Sequence, residues 1–88
     1  MNYYAAVRAF LLVSEVGSFD LAAQRLSIEA STVSRYIANL ESDLGIVLFY
    51  RSARGVELTD SGAMFRERVN VAFRGVGEAR RAVSDRAR

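Results

Sequence analysis

The sequence predicts a mainly α-helical fold, a winged helix-turn-helix with a short β-ribbon wing and a long C-terminal linker helix. Three observations predict it. Two short helical patterns flank a tight break at Leu26-Ser27-Ile28-Glu29. A ribbon pattern with an arginine-bearing tip follows at 46–58. A capped pattern starting after Thr59 then repeats apolar residues at coiled-coil spacing. The expected division is a winged helix-turn-helix domain at 1–58 and a linker helix at 59–88.

The first helix is expected from Tyr3 to Val16. Tyr3, Val7, Phe10, Leu11 and Ser14 share one face, which Tyr4, Val13 and Val16 widen. Gly17 supplies a C-terminal stop and Ser18 an N-cap for the next helix. The pair Tyr3-Tyr4 reads as helix packing rather than as a base-stacking platform. The second helix, about Phe19 to Leu26, has a buried face of Phe19, Ala22, Ala23 and Leu26. Its two alanines let a crossing helix approach closely. Ser18, at its N-terminus, is also placed to donate to a phosphate, since helix N-termini attract anions.

The third helix begins near Ala30 or Ser31, ends at Gly45, and carries two faces. Val33, Ile37, Leu40 and Leu44 recur at steps of four, three and four. Ser31, Thr32, Arg35, Tyr36 and Asn39 form a second stripe of hydrogen-bonding types on the other side. One face anchors in a core while the other offers donors and acceptors to a partner, the division a recognition helix needs in a DNA major groove. Glu41-Ser42-Asp43 loads acid onto the far end, which is therefore expected to point away from the duplex.

In the ribbon, Leu48-Phe49-Tyr50 and Val56-Glu57-Leu58 are expected to pair around the tip Arg51-Ser52-Ala53-Arg54-Gly55, Gly55 allowing a turn with φ > 0. Two arginines on a polar tip describe a wing. Arg54, beside Gly55, is expected in the minor groove; Arg51, its stem held near the body, on a phosphate or an internal acid. Thr59 caps the last helix, and Asp60 complements its dipole. Phe65, Val69, Ala72, Val76, Ala79 and Val83 recur at 4-3-4-3-4 and are expected to dimerise on a second copy. Gly75 and Gly77 weaken that helix by about 1 kcal/mol each relative to alanine. Gly75-Val76-Gly77 is not a phosphate loop, because no strand precedes it.

Composition narrows the function. Eighty-eight residues permit one small domain. There is no cysteine and no histidine, so disulfides are excluded and the usual zinc donors and nucleophile–base pairs are missing. An enzyme is the weakest reading, and no cofactor or metal is expected. Residues 1–50 hold three arginines against five acids, whereas residues 51–88 hold nine against five. Every cation is arginine, which suits bidentate contacts to guanine and phosphate. The apolar run 9–13 is bracketed by Arg8 and Glu15 with no basic leader, so a cytoplasmic protein without a membrane segment is expected.

Three segments, GSF…AA..L at 17–26, STVSR.I..LE..LG at 31–45 and LF.R..R.V.LT.SG at 48–62, together resemble the N-terminal winged helix-turn-helix of LysR-type transcriptional regulators. The resemblance runs from about Tyr3 to Val83. It implies a bacterial regulator that binds double-stranded DNA at an approximately palindromic operator, as a homodimer with paired linker helices, often within a tetramer. It also implies a C-terminal domain, absent from this chain, that takes a small-molecule effector. By position, Ser31, Thr32, Ser34, Arg35 and Tyr36 fall where the family contacts bases and phosphates, and Arg51 and Arg54 fall on its wing. Glu29-Ala30 stands where many members have a small polar residue and a glutamine, and Tyr36 where glutamine is common. These departures bear on which operator is read. The competing expectation is a protein-interaction winged helix without affinity for DNA.

Overall fold

The computed structural model describes residues 2–87; Met1 and Arg88, the outermost residues of the two expected segments, lie outside them. Its elements run α1 (Tyr3–Val16), α2 (Phe19–Leu26), α3 (Ala30–Leu44), β1 (Phe49–Ser52), β2 (Gly55–Leu58) and α4 (Asp60–Arg86). Caps set most of these boundaries. Asn2 and Ser18 accept from the backbone N–H of Ala5 and Leu21, both at 3.1 Å. Gly17 (φ 70°) ends α1 in the left-handed region, its N–H bonding the Val13 carbonyl. Ser27 ends α2 in the same region (φ 57°), a conformation that costs a serine more than a glycine. Its N–H and that of Ile28 close onto the last carbonyls of α2, which makes the sharp corner between α2 and α3.

The core gathers one face from each of three helices. Val7, Phe10 and Val13 of α1 meet Ala22 and Ala23 of α2 and Val33, Ile37 and Leu40 of α3, with Leu48 and Phe49 closing the layer. Each fully buried large side chain contributes about 1.5–3 kcal/mol. Phe10 sits at the centre, its ring 5.3 Å from that of Phe49 and 5.1 Å from that of Phe65. Leu44, the last member of the α3 stripe, is 37% exposed, because α3 runs past the edge of that layer.

The ribbon is tighter than expected from sequence. β1 and β2 pair antiparallel in the register Phe49↔Leu58, Tyr50↔Glu57, Arg51↔Val56 and Ser52↔Gly55. Arg51 and Ser52 therefore belong to the strand, and the tip is Ala53-Arg54 alone. Gly55 supplies the positive φ (121°), and the Arg54 N–H donates to Ser52 Oγ at 3.2 Å. A ladder that continues two residues further gains backbone hydrogen bonds a five-residue tip would leave to water.

The apolar repeat of α4 is divided. Phe65 and Val69, with Phe73, are half-buried against the core, and Phe73 stacks on Tyr4 with ring centroids 5.0 Å apart. Ala72, Val76, Ala79 and Val83 are exposed. From Arg74 onward every described residue except Gly77 is exposed, so the helix leaves the body and stretches the molecule to 49 Å. None of the helices among the described residues is long and apolar enough to cross a membrane.

Candidate nucleic-acid interface

α3 is held rigidly from behind. Val33, Ile37 and Leu40 are fully buried, and α3 packs on both α1 and α2. At about 100° per residue the opposite side of the helix presents Ser31, Arg35 and Asn39 in one row four residues apart. All three are exposed. Thr32 and Tyr36 flank that row on one side and are half-buried; Tyr36 borders a shallow cleft with Ala5, Arg8, Leu26 and Ile28. Ser34 lies on the other flank, also half-buried. The structure thus brings Ser31, Thr32, Arg35, Tyr36 and Asn39 onto one surface and sets Ser34 nearly opposite Tyr36.

Ser18 is half-buried at the start of α2. Its Oγ is occupied as a cap, accepting from Leu21 N–H. The hydroxyl proton is still available to donate, so capping and an outward hydrogen bond are compatible.

The two wing arginines have different surroundings. Side chains alternate along a strand, so Arg51 shares its face with Phe49. Phe49 packs against Phe19, ring centroids 6.3 Å apart, and the Arg51 guanidinium accordingly lies 4.6 Å from the centroid of the Phe19 ring. An aromatic face, contributed by the first residue of α2, is the partner of Arg51. Arg54 is exposed at the turn. The base of the wing is itself fixed: Val56 N–H donates to the Gly17 carbonyl at 3.2 Å, and a Cβ on Gly55 would sit 2.6 Å from that same oxygen. The corner between α1 and α2 therefore carries the ribbon.

Two residues essential to this arrangement were not legible as such. Glu41 reads in sequence as part of an acidic helix end, yet its Oε2 accepts from Leu48 N–H at 2.7 Å and Phe49 N–H at 3.4 Å. Gly62 reads as a mere helix glycine, yet a Cβ there would lie 2.1 Å from the Leu48 carbonyl.

Comparison with known proteins bears on what this surface does. Residues 4–63 match the family described as bacterial regulatory helix-turn-helix protein, lysR family. The transcriptional regulator ClcR of Pseudomonas putida is 47% identical over 64 residues, covering 73% of this chain and 22% of ClcR. In a crystal structure of the CbnR DNA-binding domain with DNA, the protein is 34% identical and superimposes with a TM-score of 0.86 over the whole of both chains. The BenM DNA-binding domain in complex with catB site 1 DNA is 33% identical, with a TM-score of 0.89 over 99% of this chain and 97% of that one. The chain spans 22–28% of the length of the regulators it matches first.

Proposed function

This chain belongs to the lysR family of bacterial regulatory helix-turn-helix proteins, and we propose that it binds duplex DNA sequence-specifically, as a dimer, in the control of transcription. The observation that carries the reading is the outer row of α3. Ser31, Arg35 and Asn39 are exposed along a helix whose opposite side is fully buried, so they reach a partner without disturbing the core. Arg35 and Thr32 read base edges in the major groove. Asn39, Ser31 and Ser34 hold phosphates or neighbouring base edges, and Tyr36 closes the flank. Ser18 meets the backbone from the start of α2. Arg54 enters the adjacent minor groove, where A-tracts narrow the groove and favour an inserted guanidinium. Arg51, seated on Phe19, steadies the wing and turns its remaining donors to the backbone.

Residues 59–88 act as the linker and dimerisation helix. Because Phe65 and Val69 are engaged with the core, the contact between copies falls on the exposed part of the stripe, Ala72, Val76, Ala79 and Val83, widened by Met64 and Val71. Those two are 65% and 57% exposed and border one groove with Arg68 and Ala72. A two-fold pairing brings this same face of both copies together, as an isologous interface requires. The protein is a regulator rather than an enzyme, it acts in the cytoplasm where the chromosome is, and a small-molecule effector acts through a separate domain.

The test is binding to a labelled duplex as a function of salt. Each phosphate neutralised adds about 0.9 to the slope of log K against log salt. A slope of several units is expected. A flat response between low and physiological salt would count against DNA as the partner.

A further inference from the structure

Glu41 stands one turn before the end of α3 and holds both ends of the turn that follows. Its main-chain carbonyl accepts from Gly45 N–H at 2.8 Å and Ile46 N–H at 3.1 Å, while its carboxylate accepts from Leu48 and Phe49. Leu48 passes the constraint on. Its carbonyl accepts from Thr59 N–H at 2.9 Å and is the atom that Gly62 has no side chain to obstruct. Thr59 Oγ1 in turn donates to the Val47 carbonyl at 2.8 Å and accepts from Gly62 N–H at 2.9 Å. An unbroken run of hydrogen bonds thus joins the last turns of α3 to the first turn of α4, through residues 47–49. Leu48, at its middle, is fully buried.

We propose that Glu41 is a positioning residue that fixes the direction of α3 against α4 and so sets the half-site spacing a dimer accepts. The inference rests on the reading of α3 as the DNA-facing helix and α4 as the dimer helix. α1 packs on both α3 and α4, and the run of hydrogen bonds through residues 47–49 adds a second, direct tie between those two helices. A carboxylate suits this role because one oxygen takes two backbone N–H groups at once, with the added strength of a charged acceptor. The Glu41 carboxylate is engaged by the Leu48 and Phe49 N–H groups, about two turns along α3 from Ser34 and off the row Ser31, Arg35 and Asn39. Its influence on DNA is therefore through geometry. A two-fold dimer turns an angular change at this joint into a change in the distance between its paired recognition helices, which half-site spacing along the duplex reads directly.

The experiment has two arms, each comparing the parent chain with Glu41→Leu, Glu41→Gln and Thr59→Val. In the first, without DNA, cysteines placed at exposed Ala38 and Glu78 carry spin labels, and labelled chains are diluted into unlabelled ones. The protein has no cysteine of its own, so the labels are unambiguous. Parent and Glu41→Gln, which keeps an acceptor oxygen, are expected to give one narrow distance distribution; Glu41→Leu and Thr59→Val broaden or shift it. In the second arm, a duplex selected by the parent from a randomised library is re-made with its half-sites moved by one or two base pairs. The parent loses about tenfold in affinity on moving, whereas Glu41→Leu binds the series within about twofold. A contact that only stabilised the fold would lower affinity for every spacing alike. Parent-like distances and a parent-like spacing profile in folded Glu41→Leu overturn the proposal. If Glu41→Leu shows no cooperative melting, Thr59→Val, which breaks the same run of hydrogen bonds, decides in its place by the same two readouts. A parent that selects no duplex sinks the DNA reading, while the distance arm still tests the joint.

Discussion

α3 and α4 carry apolar residues at the same steps of four and three, and the fold uses them differently. In α3, Val33, Ile37 and Leu40 all disappear into the core. In α4, Phe65 and Val69 are half-buried against that core, while Val76 and Val83 remain 61% and 69% exposed. The spacing says that a helix has an apolar side; what covers that side is decided by where the rest of the chain lies. A stripe on a helix flanked by two others is a core face. A stripe on a helix that leaves the body serves the core for two turns and leaves the remainder exposed.

The largest expected effect contrasts the two stripes directly. Leu40→Ala should destabilise the domain by about 2–5 kcal/mol, the range for emptying a fully buried site. Val83→Ala should leave the urea midpoint of the monomer within the scatter of surface substitutions, about 0.5 kcal/mol. Equal midpoints for the two variants would erase the distinction.

Next in size, the α4 stripe can be split at its own boundary. Val69→Asp places a carboxylate against the core and should cost about 1–3 kcal/mol of folding stability. Val76→Asp should leave the fold intact and shift the species seen in sedimentation equilibrium toward monomer. A stable, still-dimeric Val76→Asp chain would move the interface off this face.

The helix glycines sharpen the same contrast. Gly62→Ala drives a methyl into the Leu48 carbonyl, a backbone atom with nowhere to go, and should lose about 1–3 kcal/mol. Gly75→Ala meets nothing within 4 Å and should raise monomer stability by about 0.5–1 kcal/mol through helix propensity. Thermal melts at low protein concentration separate them; the same sign for both would mean that α4 does not ride on Leu48.

The smallest effect lies in the wing, where one arginine is seated on a ring and the other is exposed at the turn. Arg51→Met should cost the fold no more than about 0.5–1 kcal/mol, the value of a guanidinium on an exposed aromatic face. Arg54→Ala should leave the melt unchanged and weaken binding chiefly to operators with A·T-rich flanks. A uniform loss across flanks would reduce Arg54 to a backbone contact.

What the sequence determined by itself is local. The end of α1 follows from Gly17, the start of α2 from Ser18, the end of α3 from Gly45 and the start of α4 from Thr59. The two faces of α3 follow from its period, because caps and periodicity are properties of neighbours along the chain. The arginine-tipped ribbon was legible for the same reason, though not its register. What tertiary structure alone decided are contacts between residues distant in sequence. These include the Gly17 carbonyl that holds the wing, the Phe19 ring under Arg51, the division of the α4 stripe at Phe73, and the carboxylate of Glu41 on the strand that follows it. None of these has a periodic or capping signature. The first and the last exist because packing three helices on Phe10 brings backbone N–H groups near an acceptor, and a backbone N–H left unpaired there is costly. The other two follow from the aromatic rings that the same packing sets beside the wing and α4.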